Sequence, residues 1–230
     1  MAGLSAAAIL EAWELAEPLG PLDRALALLW AAGERGDLAA LPLAERDRRL
    51  LALRDATFGE SLDCVASCPE CGAASEFALN ASNLAQALTV PAPETIERAG
   101  ASVALRPLDS RDLAAAAALP ETEVPVFLRR RACPSADTLP PELIAEIDSR
   151  IELREGAGEL RLALACAHCD ATWQESFDIA GHLWTELAAA ARRVLAEVAE
   201  IAAAFGWSEA AILALSETRR RSYLTLARGA

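Results

Sequence analysis

The chain of 230 residues contains no lysine, so all 21 of its basic side chains are arginines, and it contains only two histidines. No apolar run approaches the roughly 20 residues that a membrane-spanning helix needs. The sequence also has no glycine-rich phosphate loop and no Gly-x-Ser-x-Gly nucleophile motif. Because these features are missing, we predict that the protein is not an enzyme, has no small-molecule substrate and does not enter a membrane.

The charge balance is strongly acidic, with 34 Asp and Glu residues and a formal net charge of -13. Such a charge repels phosphate backbones unless a local basic patch overrides it, so nucleic acid is a disfavoured partner. The first twenty residues have no basic n-region, and they carry Glu11, Glu14 and Glu17 among apolar residues, unlike a signal peptide. We therefore expect a cytoplasmic protein.

Hydrophobic periodicity and turn residues divide the chain into four parts. Residues 1–60 form a helical N-terminal unit. Residues 61–85 and 159–180 each contain a strand, a turn with two cysteines and a second strand. A mixed, proline-punctuated insertion covers 86–158, and 181–230 form a helical C-terminal unit. This organisation predicts an α+β fold that is mostly helical, with a small zinc-ribbon β element formed by two distant hairpins.

The turns with two cysteines carry the clearest chemical motif. Cys68 and Cys71 are separated by two residues, as are Cys166 and Cys169, and 94 residues lie between the two pairs. Two such turns can supply four thiolates to one tetrahedral ion, a ligand set that suits Zn²⁺. Since four thiolates leave no position for water or substrate, we predict that these four cysteines hold a structural zinc ion.

The residue after each pair bears on the turn geometry. Gly72 follows the first pair and permits the positive φ that a tight turn of this kind tends to need. Asp170 stands at the equivalent position of the second pair, and aspartate tolerates that conformation less well than glycine but better than most residues.

Other interpretations of the sulfur atoms stay open. The four cysteines could be buried, uncoordinated thiols, or they could bind an iron–sulfur cluster instead of zinc. Cys64 fits a packed strand residue, although it could compete as a ligand. Cys133 lies beside a proline in a predicted loop, and His168 lies inside the second turn, where its cysteine neighbours are better placed to coordinate.

A long helix from about residue 182 to residue 205 follows the second hairpin. Its apolar residues are spaced by alternating steps of three and four, as in a stripe that packs against another helix. This stripe either packs on the N-terminal helices of the same chain or contacts a partner protein. The residues predicted for partner contact are Trp184, Leu187, Val194, Val198, Ile201 and Phe205.

The last segment has some character of a helix-turn-helix, with a glycine turn at Gly206 and three arginines, Arg219, Arg220 and Arg221. Together with a zinc ribbon, it makes a nucleic-acid-binding regulator the alternative functional hypothesis. Three arginines are few against the net charge, so a simple helical hairpin is preferred.

The run FDIAGHLWTELAAAARRVLAEVAEIAAAFGWSEAAILALSETRRRSYL, preceded by the second cysteine pair, resembles zinc-ribbon-containing baseplate proteins of T-even-type contractile phages and related contractile injection systems. The resemblance is strongest over 160–226 and extends more weakly to ALRPLDSRDLAAA and CPECG. The chain departs from the pattern at Gly181 and His182, after FDIA, and its long helix is unusually rich in alanine.

The resemblance implies a structural or assembly component, either built into a baseplate or acting as an assembly chaperone. Its partners would then be other baseplate or tail proteins, contacted through the C-terminal helices. A cytoplasmic protein of this kind would be incorporated into a tail-like particle or would act while that particle is assembled.

Overall fold

The computed structural model of the protein describes residues 2–98 and 101–229. Within these ranges the α-helices are α1 (Ala6–Ala16), α2 (Pro21–Ala31), α3 (Leu43–Phe58), α4 (Ala81–Ala87), α5 (Ser110–Ala116), α6 (Val124–Ala132), α7 (Pro141–Gly156), α8 (Ile179–Phe205), α9 (Glu209–Leu213) and α10 (Glu217–Gly229). The strands are β1 (Ser61–Ser67), β2 (Ala74–Asn80), β3 (Glu94–Arg98), β4 (Ala101–Leu105), β5 (Arg161–Ala165) and β6 (Thr172–Ser176). They pair as three separate antiparallel hairpins, β1–β2, β3–β4 and β5–β6. The predicted fold class, mostly helical with small hairpins, is confirmed.

Local signals explain where the N-terminal helices begin and end. The Ser5 hydroxyl accepts a hydrogen bond from the Ala8 N–H and caps α1, while Pro21 occupies the first turn of α2. Helix α3 ends at Gly59, whose φ of 91° is readily available only to glycine. Residues 1–60 are thus mainly helical, as the sequence predicts.

Helix α8 is the centre of the main core. It contacts α1, α2, α3, α9 and α10, so helices from both ends of the chain share one apolar interior. Leu28 of α2, Leu50 of α3 and Leu183 of α8 are completely buried there. The alanines of α8 bring neighbouring helices close, because a methyl side chain adds little width to the helix surface.

The stripe on α8 is largely internal, which corrects part of the predicted partner surface. Leu187, Val194, Val198 and Ile201 are buried in the core of this chain. A side chain in this position cannot contact a second protein without opening the fold. Trp184 is partly buried against the same core, and Phe205, at the end of the helix, is the one exposed member of the predicted set.

Part of the segment between the hairpins builds a second, smaller core. Val103 and Leu105 of β4, Cys133 after α6 and Ile147 of α7 are buried together in it. Cys133 is therefore a packed thiol, and it lies outside the group of possible metal ligands.

The inserted segment is attached to the helical core through the start of α5. The Leu43 N–H donates to the Leu108 carbonyl at 3.1 Å. Asp109 and Asp112 form a reciprocal capping box, in which each carboxylate accepts the backbone N–H of the other. Asp112 is fully buried and is paired with Arg106 at 2.8 Å. This capping box fixes the start of α5.

Across the described residues, no helix combines the length and the apolar composition needed to cross a bilayer.

Candidate metal centre

Two hairpins of the same design carry the four cysteines. In the first, the Cys68 N–H donates to the Ala73 carbonyl and the Gly72 N–H donates to the Cys68 carbonyl, both at 2.9 Å. The second hairpin repeats this pattern. There the Cys166 N–H donates to Ala171 at 2.8 Å, and the Asp170 N–H donates to Cys166 at 3.0 Å. Each turn folds its two cysteine side chains back towards one point.

The residue after each cysteine pair adopts the left-handed conformation, as the sequence predicts. Gly72 has a φ of 72° and Asp170 a φ of 59°. Among the described residues, Asp170 is the only one other than glycine with a positive φ. Because an L-residue with a side chain is strained there, its presence indicates that the turn itself fixes the conformation.

The structure brings the four predicted ligands together, although 94 residues separate the two pairs. The ligand atoms of Cys68, Cys71, Cys166 and Cys169 all lie within 4.8 Å of one another. Contacts between the hairpins are close, with Sγ–Sγ distances of 3.7 Å for Cys68 and Cys169 and 3.6 Å for Cys71 and Cys166. The cysteines are not disulfide-bonded. They form a group that can hold a metal ion.

The group is asymmetric in its exposure to solvent. Cys68 and Cys166, the first cysteine of each turn, are each 2% exposed, whereas Cys71 and Cys169 are exposed. The sulfurs of these first cysteines, which we call the inner sulfurs, therefore lie on the protein side of the site, and those of Cys71 and Cys169, the outer sulfurs, lie on the solvent side. The outer sulfurs leave one side of the site accessible to small chelators.

Backbone donors favour a thiolate at one of the inner cysteines. The backbone N–H groups of His168 and Cys169 point at the sulfur of Cys166 and lower the pKa of this thiol to about 6. At Cys169 the backbone at Ala171 also favours the thiolate, but the hydrogen bonds with the neighbouring thiols outweigh it and raise the pKa to about 12. Four thiolates this close repel one another, so a bound cation is what allows all of them to ionise.

The remaining candidates lie outside the metal group. Cys64 is a half-buried residue of β1 packed against the main core, as predicted for a strand residue, and burial raises the pKa of its thiol. His168 contributes its backbone N–H to Cys166 at 3.4 Å, and the group of possible ligands does not include its ring.

An ion pair beside the hairpins was not predicted from the sequence. Arg54 of α3 is 3% exposed and donates two hydrogen bonds to Glu186 of α8, at 2.8 and 2.6 Å, and a third to the Gly59 carbonyl. Burial of the Glu186 carboxyl would raise its pKa, but the two hydrogen bonds from Arg54 and the positive charge of that guanidinium outweigh burial and lower the pKa to about 2. The pair joins α3 to α8 just before the first hairpin. An arginine among leucines on a helix is the only sequence signal of such a partner.

Comparisons of the chain with protein-family models, with curated proteins and with solved structures found no match.

Proposed function

We propose that Cys68, Cys71, Cys166 and Cys169 bind one zinc ion with a structural role. A tetrahedral ion with Zn–S bonds of about 2.3 Å places its sulfurs about 3.8 Å apart. The Sγ–Sγ distances between the two hairpins, 3.6 and 3.7 Å, are close to this value. This agreement is the observation that supports the proposal most strongly. When bound, the ion neutralises the thiolates and ties the two hairpins together.

The same distances argue against an iron–sulfur cluster. In such a cluster the four cysteines are divided between two or four iron atoms, and this spreads their sulfurs apart. Four sulfurs within 4.8 Å of one another are suited to a single ion. Because four cysteines fill a tetrahedral shell, no coordination position is left for water or substrate. We therefore assign the ion a role in stability and not in catalysis.

We further propose that the protein is a non-enzymatic structural or assembly component of a contractile injection system. The resemblance of residues 160–226 to baseplate proteins supports this role, and so does a metal group with no room for substrate. The protein would act on other tail or baseplate proteins, either as a permanent part of the particle or as a chaperone during its assembly.

The alternative, a nucleic-acid-binding regulator, loses much of its support from the arrangement of the C-terminal arginines. Arg220 is 6% exposed and donates to Glu197 at 3.1 Å and to the Leu215 carbonyl at 2.8 Å. Arg221 is paired with Glu217 on the same helix. Two of the three arginines are therefore paired within the chain, and the net charge of -13 opposes binding to phosphates.

The assembly role can be tested in the cell that produces the protein. The chain would carry an affinity tag, and particles or their subassemblies would be separated by sedimentation. We expect the tagged chain to sediment with tail or baseplate proteins and the Cys166→Ser variant to be lost from these fractions. Normal particles after deletion of the gene, with the chain absent from every subassembly, would reject the role.

A further inference from the structure

A cleft of about 910 Å³ lies between the two hairpins and helix α8. Five consecutive residues of β1, from Asp63 to Ser67, form one wall, and the last two residues of β6 together with Phe177 after it contribute to another. The α8 residues Gly181, His182, Thr185, Glu186, Ala189 and Arg193 also line it. The proposed role of the metal group does not account for this cleft.

The cleft borders one edge of β1 and also reaches the hairpin face that carries Cys64 and Phe77. Successive side chains of a strand point to opposite faces, so five consecutive residues can border one cleft only at the strand's edge. Strand β2 pairs with the other edge, over the full length of β1. The edge that borders the cleft has no strand partner among the described residues.

The hydrogen-bond pattern identifies which backbone groups this edge presents. The Ala81 N–H donates to the Glu60 carbonyl at one end of the hairpin, and the Cys68 N–H donates to Ala73 at the other. In an antiparallel pair, alternate residues bond to the partner strand, so the even-numbered residues of β1 bond to β2. Asp63, Val65 and Ser67 therefore direct their N–H and C=O groups towards the cleft.

The charges that border the cleft are mainly acidic. Carboxylates of Asp63, Glu175, Asp178 and Glu186 line it, against the single arginine Arg193. Because Arg54 balances the negative charge of Glu186, three carboxylates and one guanidinium remain as the charges of the lining. An occupant with basic side chains would complement this lining, and the chain itself, with a net charge of -13, is poorly suited to be that occupant.

The floor of the cleft holds a polar atom without a partner. His182 Nε2 is shielded from solvent and has no hydrogen-bond partner among the described residues. It lies 3.6 Å from Glu186 Oε2, beyond hydrogen-bond range, and its ring packs at a tilt of 50° against Phe177, with a centroid distance of 5.3 Å. A polar group that is buried and unsatisfied is costly, and because Nε2 is shielded from solvent, an occupant of the cleft could satisfy it only after the imidazole turns towards the cleft.

We propose that this cleft binds an extended, basic segment of a partner protein. The segment adds as a strand to the cleft edge of β1, pairing with the backbone of Asp63, Val65 and Ser67. Its alternate side chains are apolar towards the floor, which includes Phe58, Phe77 and Ala189, and basic towards the carboxylates. The inference goes beyond the assembly role and does not depend on it, because it requires only the cleft.

The direct test uses a fluorescein-labelled peptide of alternating valine and arginine, about as long as the 7 residues of β1. Binding to the full chain is followed by fluorescence anisotropy. We expect saturable binding, and we expect no binding by the same peptide with N-methylated backbone amides or with glutamate in place of arginine. Absence of binding, or equal binding by the N-methylated peptide, would overturn the proposal.

Val65→Pro removes a backbone N–H that faces the cleft. Val65 is 67% exposed, and proline is tolerated on strand edges whose N–H faces away from the sheet. We expect binding about tenfold weaker or worse, since at least one backbone hydrogen bond is lost. The matched control is Ala163→Pro on β5, where the Phe177–Leu160 and Cys166–Ala171 bonds place the Ala163 N–H at the edge away from β6. Equal weakening by the control would contradict the proposal.

Asp63→Arg provides an independent variant in case Val65→Pro does not fold. Reversing this charge should shift the preference of the cleft from the arginine peptide towards the glutamate peptide. Glu121→Arg makes the same change in net charge at a site that does not line the cleft and should leave the preference unchanged. If the chain instead forms dimers that Val65→Pro abolishes, a second copy occupies the edge and the proposal is wrong.

Discussion

The two cysteine turns share their backbone hydrogen bonds but differ in the residue that adopts the left-handed conformation. A Cβ atom built on Gly72 would meet nothing within 4 Å, so any cost of adding one is conformational and not steric. Asp170 already bears this conformational cost at the equivalent position. Substitutions at Gly72 and Asp170 therefore measure the cost of backbone strain without a change in packing.

Gly72→Ala should lower the free energy of unfolding of the metal-loaded protein by about 1–2 kcal/mol, the usual cost of a left-handed L-residue. Asp170→Gly should not destabilise the protein, because relief of strain offsets the greater freedom of glycine in the unfolded chain. Urea unfolding of both variants measures these effects. A clear loss of stability in Asp170→Gly would show that the aspartate side chain has a role of its own.

Arg54 and Glu186 connect two helices through charges that are shielded from solvent. Removing one partner leaves the other charge with poor solvation. Arg54→Gln should therefore destabilise the protein by about 3 kcal/mol, the lower end of the range for buried pairs, because Glu186 keeps some contact with water. Arg130→Gln breaks an exposed pair with Asp137 and should have little effect in the same urea unfolding experiment. Equal effects of the two variants would contradict this assignment.

The low pKa of Glu186 also predicts how this contribution depends on pH. Its folded pKa of about 2 lies below the ordinary value of 4.5. The stabilisation is therefore complete above the ordinary pKa and is lost as the pH falls from about 4.5 towards about 2. The difference in unfolding free energy between the natural protein and Glu186→Gln should shrink across this range. Taking the difference at each pH cancels changes at the metal site that both proteins share. A difference that stays constant down to about pH 3 would contradict the assignment.

The burial pattern of helix α8 shows which of its side chains face the core. Leu187 is completely buried and Leu195, on the same helix, is 39% exposed. Leu187→Ala should cost about 2–5 kcal/mol in unfolding free energy because it leaves a cavity in the core. Leu195→Ala, the same change at the surface, should cost much less. Similar losses for both would mean that the stripe is not the core-facing side of α8.

Elements with strong local signals could be predicted from the sequence. Helices α1, α3 and α8 have apolar periodicity over several turns, with Ser5, Gly59 and Gly206 marking ends, although α8 begins at Ile179, before the predicted start. Helix α6 and strand β3 were not predicted. Helix α6 is short and carries proline in its first turn, and β3 has only five residues, with charged side chains among them.

The metal group could be predicted from the sequence, whereas the Arg54–Glu186 pair could not. Each half of the metal group has its own local motif, two cysteines two residues apart, so the site could be predicted despite the insertion. An ion pair between residues separated by 132 positions has no such spacing rule, because its partners meet only through the packing of α3 on α8. The cleft beside β1 likewise depends on how the two hairpins are placed.

For the molecule as a whole, the four cysteines are the link between two segments that are distant in sequence. Each hairpin is a two-stranded unit, and such units are only marginally stable alone in water. A metal ion shared between them adds its binding free energy to the folded state. Loss of the ion should therefore loosen both hairpins and the cleft between them, while the helical core around α8 keeps its own apolar contacts.

The most direct test is the metal content of the protein purified without chelator, measured by inductively coupled plasma mass spectrometry together with urea unfolding before and after chelation. The account predicts about one zinc ion per chain, held by the four cysteines. It also predicts that Cys68→Ser or Cys166→Ser loses the ion and several kcal/mol of stability. Cys133→Ser, a change at a buried thiol of the second core, should keep the ion. A fully folded protein with a metal content near zero would contradict the account.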